Sequence, residues 1–162
     1  MAQWSWSQSS ERAVEKLMPT TKIEFRLEVD EEGYPPISVE SLNAQPIEDG
    51  AFEILNTPFF AENVAYADTV TATLQKDGSL LFESVVKFSG FKAISIILFD
   101  DSLDVHLLDL LRGLQCVIEY GEFGAMRMLA IGIPETVNYD PIRASLEECQ
   151  RLGKLSYAEL VA

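Results

Sequence analysis

From Lys22 to Val29 apolar and polar residues alternate, with Ile23, Phe25, Leu27 and Val29 on one side and Lys22, Glu24, Arg26 and Glu28 on the other. A period of two predicts a half-buried strand. Asp30-Glu31-Glu32-Gly33 is turn chemistry, and Tyr34-Pro35-Pro36 is held extended by its prolines. Ile37, Val39 and Ser41 then read as one face of a second strand, with Glu40 on the other, and Ala51 to Leu55 as a short third. Asn56-Thr57-Pro58 breaks the pattern before Phe59-Phe60. Thr69 to Gln75 and Leu80 to Val86 flank Lys76-Asp77-Gly78-Ser79. Asp-Gly between two β-rich runs predicts a hairpin. After Ser89-Gly90, the apolar run from Phe91 to Phe99 reads as a buried strand.

The period changes at Asp100. Asp101 or Ser102 is placed to cap a helix whose apolar stripe is Leu103, Leu107, Leu110, Leu111 and Leu114, with Gly113 at its end. Cys116 to Tyr120 and Ala125 to Ile133 read as strands joined by a turn over Gly121 to Gly124. Asp140-Pro141 is a helix start, and Ile142, Leu146, Cys149 and Leu152 recur at helical spacing up to Gly153. The tail from Leu155 to Ala162 is expected to add a short turn of helix. At the other end, residues 1–8 are expected to be a loose tail containing Trp4 and Trp6. Ser9 or Ser10 would cap a short helix that runs to Met18 and stops at Pro19.

The order predicts an α+β fold: an N-terminal β-rich bent sheet or half-barrel fused to a ferredoxin-like β-α-β-β-α half with helices on one face of an antiparallel sheet. Residues 1–20 form a preamble and 21–162 a single domain, with a β-rich lobe at about 21–88 and a ferredoxin-like lobe at about 89–155. No Pro/Gly/Ser linker separates the halves.

At 162 residues and 48% hydrophobic, the chain can bury a real core despite a formal net charge of -14. The charge is unevenly placed. Between Arg26 and Lys76 there is no Lys or Arg, and ten of the acids lie there: Glu28, Asp30, Glu31, Glu32, Glu40, Glu48, Asp49, Glu53, Glu62 and Asp68. A one-signed stretch projects a negative field that steers basic partners and repels nucleic acid and anionic membrane. No apolar run approaches the ~20 residues of a membrane helix, and the N-terminus lacks the basic and apolar regions of a secretory signal. Cys116 and Cys149 match no metal or redox spacing and read as reduced core thiols. Cytoplasmic residence is the expectation.

Motifs that name a reaction are not found. His106, the single histidine, stands three residues before Asp109 on the predicted helix; without a second His or a placed nucleophile, it reads as a helix surface residue. Asp30-Glu31-Glu32 lacks the Gly and distal Glu of a calcium loop. Gly121-Glu122-Phe123-Gly124 lacks the Lys and Ser/Thr of a phosphate loop. Ser89-Gly90 lacks the context of a nucleophile elbow. No metal or cofactor is expected. The aromatics Tyr34, Phe52, Phe59, Phe60 and Tyr66 interleave with the acids, as core or as anchors inside a negative rim.

Tyr34-Pro35-Pro36, Glu40-Ser41-Leu42, Pro58-Phe59-Phe60-Ala61, Asp68-Thr69-Val70 and Ser89-Gly90, with Cys116 to Glu119 and Ile133-Pro134, together resemble a bacterial family of domains of unknown function with a Y-P-P…E-S-L…P-F-F-A…D-x-V…S-G signature. Where basic or Thr-Arg residues belong after Ser-Gly, this chain has Phe91-Lys92-Ala93. The resemblance covers roughly residues 22–155. It implies a small bacterial accessory protein, of a type that includes immunity proteins of toxin systems.

The function expected is therefore a non-catalytic, acidic protein-binding protein, most concretely an immunity protein that neutralises a basic, nuclease-type toxin. Its partner-binding residues would be Glu28, Asp30, Glu31, Glu32, Glu40, Glu48 and Asp49, with Tyr34 and Phe59 as anchors. Glu40 and Asp68 fall inside motif elements and are the acids expected to be structural. Two alternatives differ in kind: a small enzyme or ligand-binding domain using Glu40, Asp68, Glu119 and His106 in a cleft between the lobes, or a regulatory domain that dimerises through sheet edges.

Overall fold

A computed structural model describes residues 19–100 and 105–162. The expected N-terminal tail and helix, and the helix cap at Asp101 or Ser102, lie outside these residues. The elements run β1 (Thr21–Arg26), β2 (Val39–Pro46), a 3-10 turn (Glu48–Gly50), β3 (Phe52–Ile54), β4 (Thr69–Leu74), β5 (Leu80–Lys87), β6 (Lys92–Leu98), α1 (Val105–Gly113), β7 (Val117–Phe123), β8 (Met126–Ile133), α2 (Asp140–Arg151) and β9 (Leu155–Val161). The chain is α+β with a β-rich N-terminal half. Among the described residues no helix is long and apolar enough to cross a membrane.

Strands β1 to β5 close into a barrel in sequence order. Four antiparallel pairings join strands consecutive in sequence, and the fifth, parallel, joins Ile23 to Leu80 and Glu24 to Leu81. This corrects the expected bent sheet or half-barrel: closure needs a pairing between the first and last strands, which no local pattern encodes. Ile23, Phe25, Leu42, Ala44, Ile54 and Val70 fill the interior, and Phe25 stacks on Phe82 at 4.6 Å. The hairpin at Asp77-Gly78 forms as expected. Gly78 takes φ +89°, and Asp77 Oδ1 accepts the Ser79 N–H at 2.9 Å.

In β2 the expected facing is reversed. Val39 and Ser41 face solvent, whereas Glu40, Leu42 and Ala44 point inward. A period of two does not say which of its faces is buried, and a buried carboxylate needs partners that lie elsewhere in the chain.

The second half is a four-stranded antiparallel sheet in the order β7-β8-β6-β9. The two helices cover one face, where Ile94, Ile96, Leu111, Leu129, Ile131, Ile142 and Leu146 form a core separate from the barrel's. Two local expectations are corrected. Leu155–Val161 is a strand, paired to β6, and not a helical turn; its burial does not alternate with a period of two, so spacing does not mark it as a strand. The turn expected over Gly121 to Gly124 instead begins at Gly124, which takes φ +63°. Gly121 lies within β7, at a position where a side chain would meet the Phe59 ring: a Cβ would stand 2.8 Å from Phe59 Cζ.

Candidate functional site

The barrel and the sheet are joined by the segment between β3 and β4, residues 55–68, and three carboxylates hold it. Glu40, 5% exposed, points up the barrel interior and ends on consecutive amides. Its Oε1 accepts Phe59 N–H at 2.6 Å, and its Oε2 accepts those of Phe60 at 3.0 Å and Ala61 at 2.8 Å. Asp68, 1% exposed, accepts Ala65 N–H at Oδ2 (2.9 Å) and Ser89 N–H at Oδ1 (2.7 Å). Ser89 Oγ in turn donates to Tyr66 O at 2.6 Å. Glu119, on β7 and half-buried, accepts Thr57 N–H at 2.6 Å. Desolvation, opposed by that amide and reinforced by the nearby Glu40 charge, holds the Glu119 carboxyl above the ordinary glutamate value.

Aromatic contacts complete the joint. Phe59 and Phe60 meet Phe123 edge-on at 5.2 and 4.9 Å, and Tyr66 meets Phe91 at 5.0 Å. Thr57 packs over Gly132, where a Cβ would lie 2.7 Å from its Oγ1. Gly90, at φ +90°, lies against the Glu135 side chain. The residues of the Glu-Ser-Leu, Pro-Phe-Phe-Ala, Asp-x-Val and Ser-Gly elements thus meet in one place, and their acids bind backbone rather than solvent.

Beside this joint a cleft of about 510 Å³ opens between the barrel and β9. The end of β1 and the turn after it contribute Arg26, Leu27, Glu28, Asp30, Tyr34 and Pro35; the connecting segment contributes Phe60 and Glu62; β9 contributes Ala158 and Leu160. Asp30 builds its own turn: its Oδ1 accepts Glu32 N–H at 3.0 Å and Tyr34 N–H at 2.8 Å. Tyr34 crosses Phe60 edge-on at 5.9 Å and stays 38% exposed. Burial, with the Asp30 charge behind it, pushes its hydroxyl above the ordinary phenol value, so it stays protonated at neutral pH. The volume is within the range of ligand sites, roughly 300–1,000 Å³.

The cleft brings together Glu28, Asp30 and Tyr34 from the sequence-expected set. Glu31 and Glu32 stand exposed on the adjoining turn. Glu48 and Asp49 do not join them. β1 and β2 are antiparallel, with Arg26 opposite Val39 and Thr21 opposite Ala44. The Asp30 turn therefore lies past one end of the pair and Glu48-Asp49 past the other. Glu40 is corrected from a partner-facing charge to an internal one, because its carboxylate is engaged by three amides. Phe59 is half-buried against Phe123 and Gly121, part of the joint rather than an exposed anchor. Phe60 is one of the aromatics that the sequence offers as core or anchor, whereas Glu62, Ala158 and Leu160 are not expected in a site. Glu62 belongs to the base-free stretch, but nothing local points to the β9 residues.

His106 lies apart from these groups, on α1, in a groove of about 480 Å³ with Leu107, Leu110, Ser145, Glu148, Cys149 and Leu152. Cys116 and Cys149 are not joined in a disulfide. Among the described residues no group of three or more His, Cys, Asp or Glu is arranged to hold a metal ion.

Residues 40–157 match the family described as a domain of unknown function, DUF4265, and the chain belongs to that family. A hypothetical protein from Neisseria gonorrhoeae, known from its crystal structure, has a similar fold: the TM-score is 0.75 at 26% identity, over 88% of this chain and 95% of that one. No curated protein matches the chain.

Proposed function

We propose that the protein is a non-catalytic binding protein that takes a basic protein partner at the cleft between barrel and sheet, and that the partner is a cationic, nuclease-type toxin to which it confers immunity. The observation that carries the reading is the convergence of Glu28, Asp30 and Glu62 on a concave, aromatic-walled groove, in a chain of formal net charge -14. A negative rim steers a basic partner into encounter, and Tyr34 and Leu160, both partly exposed, give it apolar surface to bury. The carboxylates best suited to acid–base chemistry, Glu40, Asp68 and Glu119, are engaged by main-chain amides, which favours a structural role for them over a catalytic one. We also read the second half as a ferredoxin-like unit. Its strand order supports this: β8 lies between the two strands linked by α1, and β6 between the two linked by α2.

The test is co-expression of the protein with a growth-inhibiting basic nuclease domain of a bacterial toxin, such as any that the neighbouring genes encode, together with association kinetics of the purified pair. Expected are rescue of growth and an association rate that falls steeply between low and physiological salt, from as high as about 10⁸ M⁻¹s⁻¹ toward the 10⁵–10⁶ of uncharged pairs. Failure to rescue, or a rate indifferent to salt, would overturn the reading.

A further inference from the structure

The four-stranded sheet has two outer strands, and the fold treats them differently. On β9 the Tyr157 N–H donates outward to Gln150 Oε1 at 3.2 Å, and the Leu160 carbonyl accepts Asn63 N–H at 3.2 Å. Helix α2 and the connecting segment thereby close that edge at two points. The barrel, being closed, presents no edge. Strand β7 is the exception. It pairs with β8 over seven residues without a bulge, and among the described residues no group closes its outer edge. It has no Lys, Pro or twist-inducing bulge; its charges are Glu119, tied to Thr57 N–H, and Glu122, bonded to Tyr120. It also presents Tyr120, 54% exposed, whose hydroxyl donates to Glu122 along the strand at 2.7 Å.

We infer that this edge is covered by the β7 strand of a second copy, paired antiparallel about a two-fold axis at Tyr120. The strand's sequence is complementary to itself in that register. Tyr120 meets Tyr120 of the other copy, Glu119 meets Gly121, Ile118 meets Glu122 and Val117 meets Phe123, so no two like charges stand directly opposite. An aromatic pair at the centre of an antiparallel ladder is stabilising, and like charges there would not be. A two-fold axis makes every such contact occur twice. The product is a continuous eight-stranded sheet with β9 at both ends. At ~4.8 Å per strand the two β9 strands lie roughly 34 Å apart, and both clefts stay open. The inference does not depend on what the cleft binds.

Two chains of this charge repel, and salt screens repulsion between exposed charges more than about 10 Å apart at 0.1 M. The dimer is therefore weak in low salt and strengthens as salt rises, opposite to the association with a basic partner. A single pair of seven-residue strands is a small contact, and small contacts fall in the weak class, with a dissociation constant of roughly micromolar to millimolar.

The experiment is sedimentation velocity of the whole chain over roughly 5–500 µM, at about 20 mM and about 500 mM salt. A monomer–dimer equilibrium shifted several-fold toward dimer by salt is expected. Tyr120→Lys, which lowers the net negative charge but puts two lysines face to face, should weaken the dimer by about tenfold or more, and Tyr120→Phe should keep it. Hydrogen exchange of the wild-type protein gives a readout independent of any variant: amides within residues 117–123 should gain protection as concentration rises. A monomer under every condition overturns the inference, as does a dimer that survives Tyr120→Lys or leaves those amides unprotected.

Discussion

The Glu119 carboxylate on β7 accepts the Thr57 N–H at 2.6 Å, a hydrogen bond that ties the open sheet to the segment leaving the barrel. It is the most exposed of the three carboxylates that pin the joint, and desolvation has raised its pKa. The sign of its effect on stability follows. A carboxyl whose folded pKa lies above its unfolded one holds its proton more tightly in the folded state. Its contribution is fully present below the ordinary glutamate value and is lost as pH rises through the raised one. In Glu119→Gln the amide oxygen still accepts the Thr57 N–H and no charge faces Glu40. The variant should be as stable as wild type or more so at pH 7, and the advantage should shrink as pH falls toward the ordinary glutamate range. Thermal melts of both proteins from pH 4 to 7 measure the difference. A variant clearly less stable at pH 7 would show that the charge strengthens the joint.

Glu40 is the opposite case. Its two oxygens serve three amides, and glutamine offers one acceptor while turning two N–H donors toward donors. Glu40→Gln should destabilise by about 3 kcal/mol, through unsatisfied buried donors. For a chain of this length that lowers the melting temperature by roughly 6–12 °C. Asp68→Asn should behave in the same direction, because Asp68 likewise receives amides at both oxygens. A loss under about 1 kcal/mol in Glu40→Gln would mean that the segment holds its shape without the carboxylate.

Much of the fold was legible because it is local. The Asp77-Gly78 hairpin, the α2 stripe of Ile142, Leu146 and Cys149, and the buried run of β6 each follow from spacing and turn chemistry. What was not legible depends on residues far apart in sequence. Barrel closure joins Ile23 to Leu80. The inward turn of Glu40 depends on amides about twenty residues away, and the cleft needs β9 set against the turn after β1. Half of the candidate site could be named from charge and aromatic content alone. The part contributed by Ala158 and Leu160 could not, since nothing about a small apolar residue marks it as a wall.

Gly121 tests how tightly the two halves fit. A Cβ there would lie 2.8 Å from Phe59 Cζ and 3.0 Å from Phe123 Cε2. Gly121 has no positive φ, so alanine meets no backbone strain and the cost is steric. Gly121→Ala should destabilise by about 1–3 kcal/mol as the Phe59 ring is displaced. Phe59→Leu in the same chain should recover part of the loss, because the two changes share one contact. Chemical denaturation of the single and double variants measures the coupling. Additive losses would place the clash elsewhere.

The two acidic ends of the barrel should contribute unequally to partner capture. Glu28, Glu31, Glu32 and Glu62 line or flank the cleft, while Glu48 and Asp49 lie past the other end of the β1–β2 pair, about six residues or ~20 Å of strand away. Asp30 is left intact in this comparison because its side chain holds the amides of Glu32 and Tyr34. At about 0.1 M salt, neutralising the first four as glutamines should slow association with a basic nuclease domain by about tenfold or more. Glu48→Gln with Asp49→Asn should slow it only a few-fold, since that pair is about two Debye lengths from the cleft at 0.1 M salt. At about 0.5 M salt the rates should converge, because screening removes steering but leaves the short-range contacts of Tyr34. Stopped-flow association across a salt series separates these effects. Equal slowing by the two sets would mean that the overall charge steers the partner and the cleft does not, and no slowing by either would reduce the acidity to a solubility device.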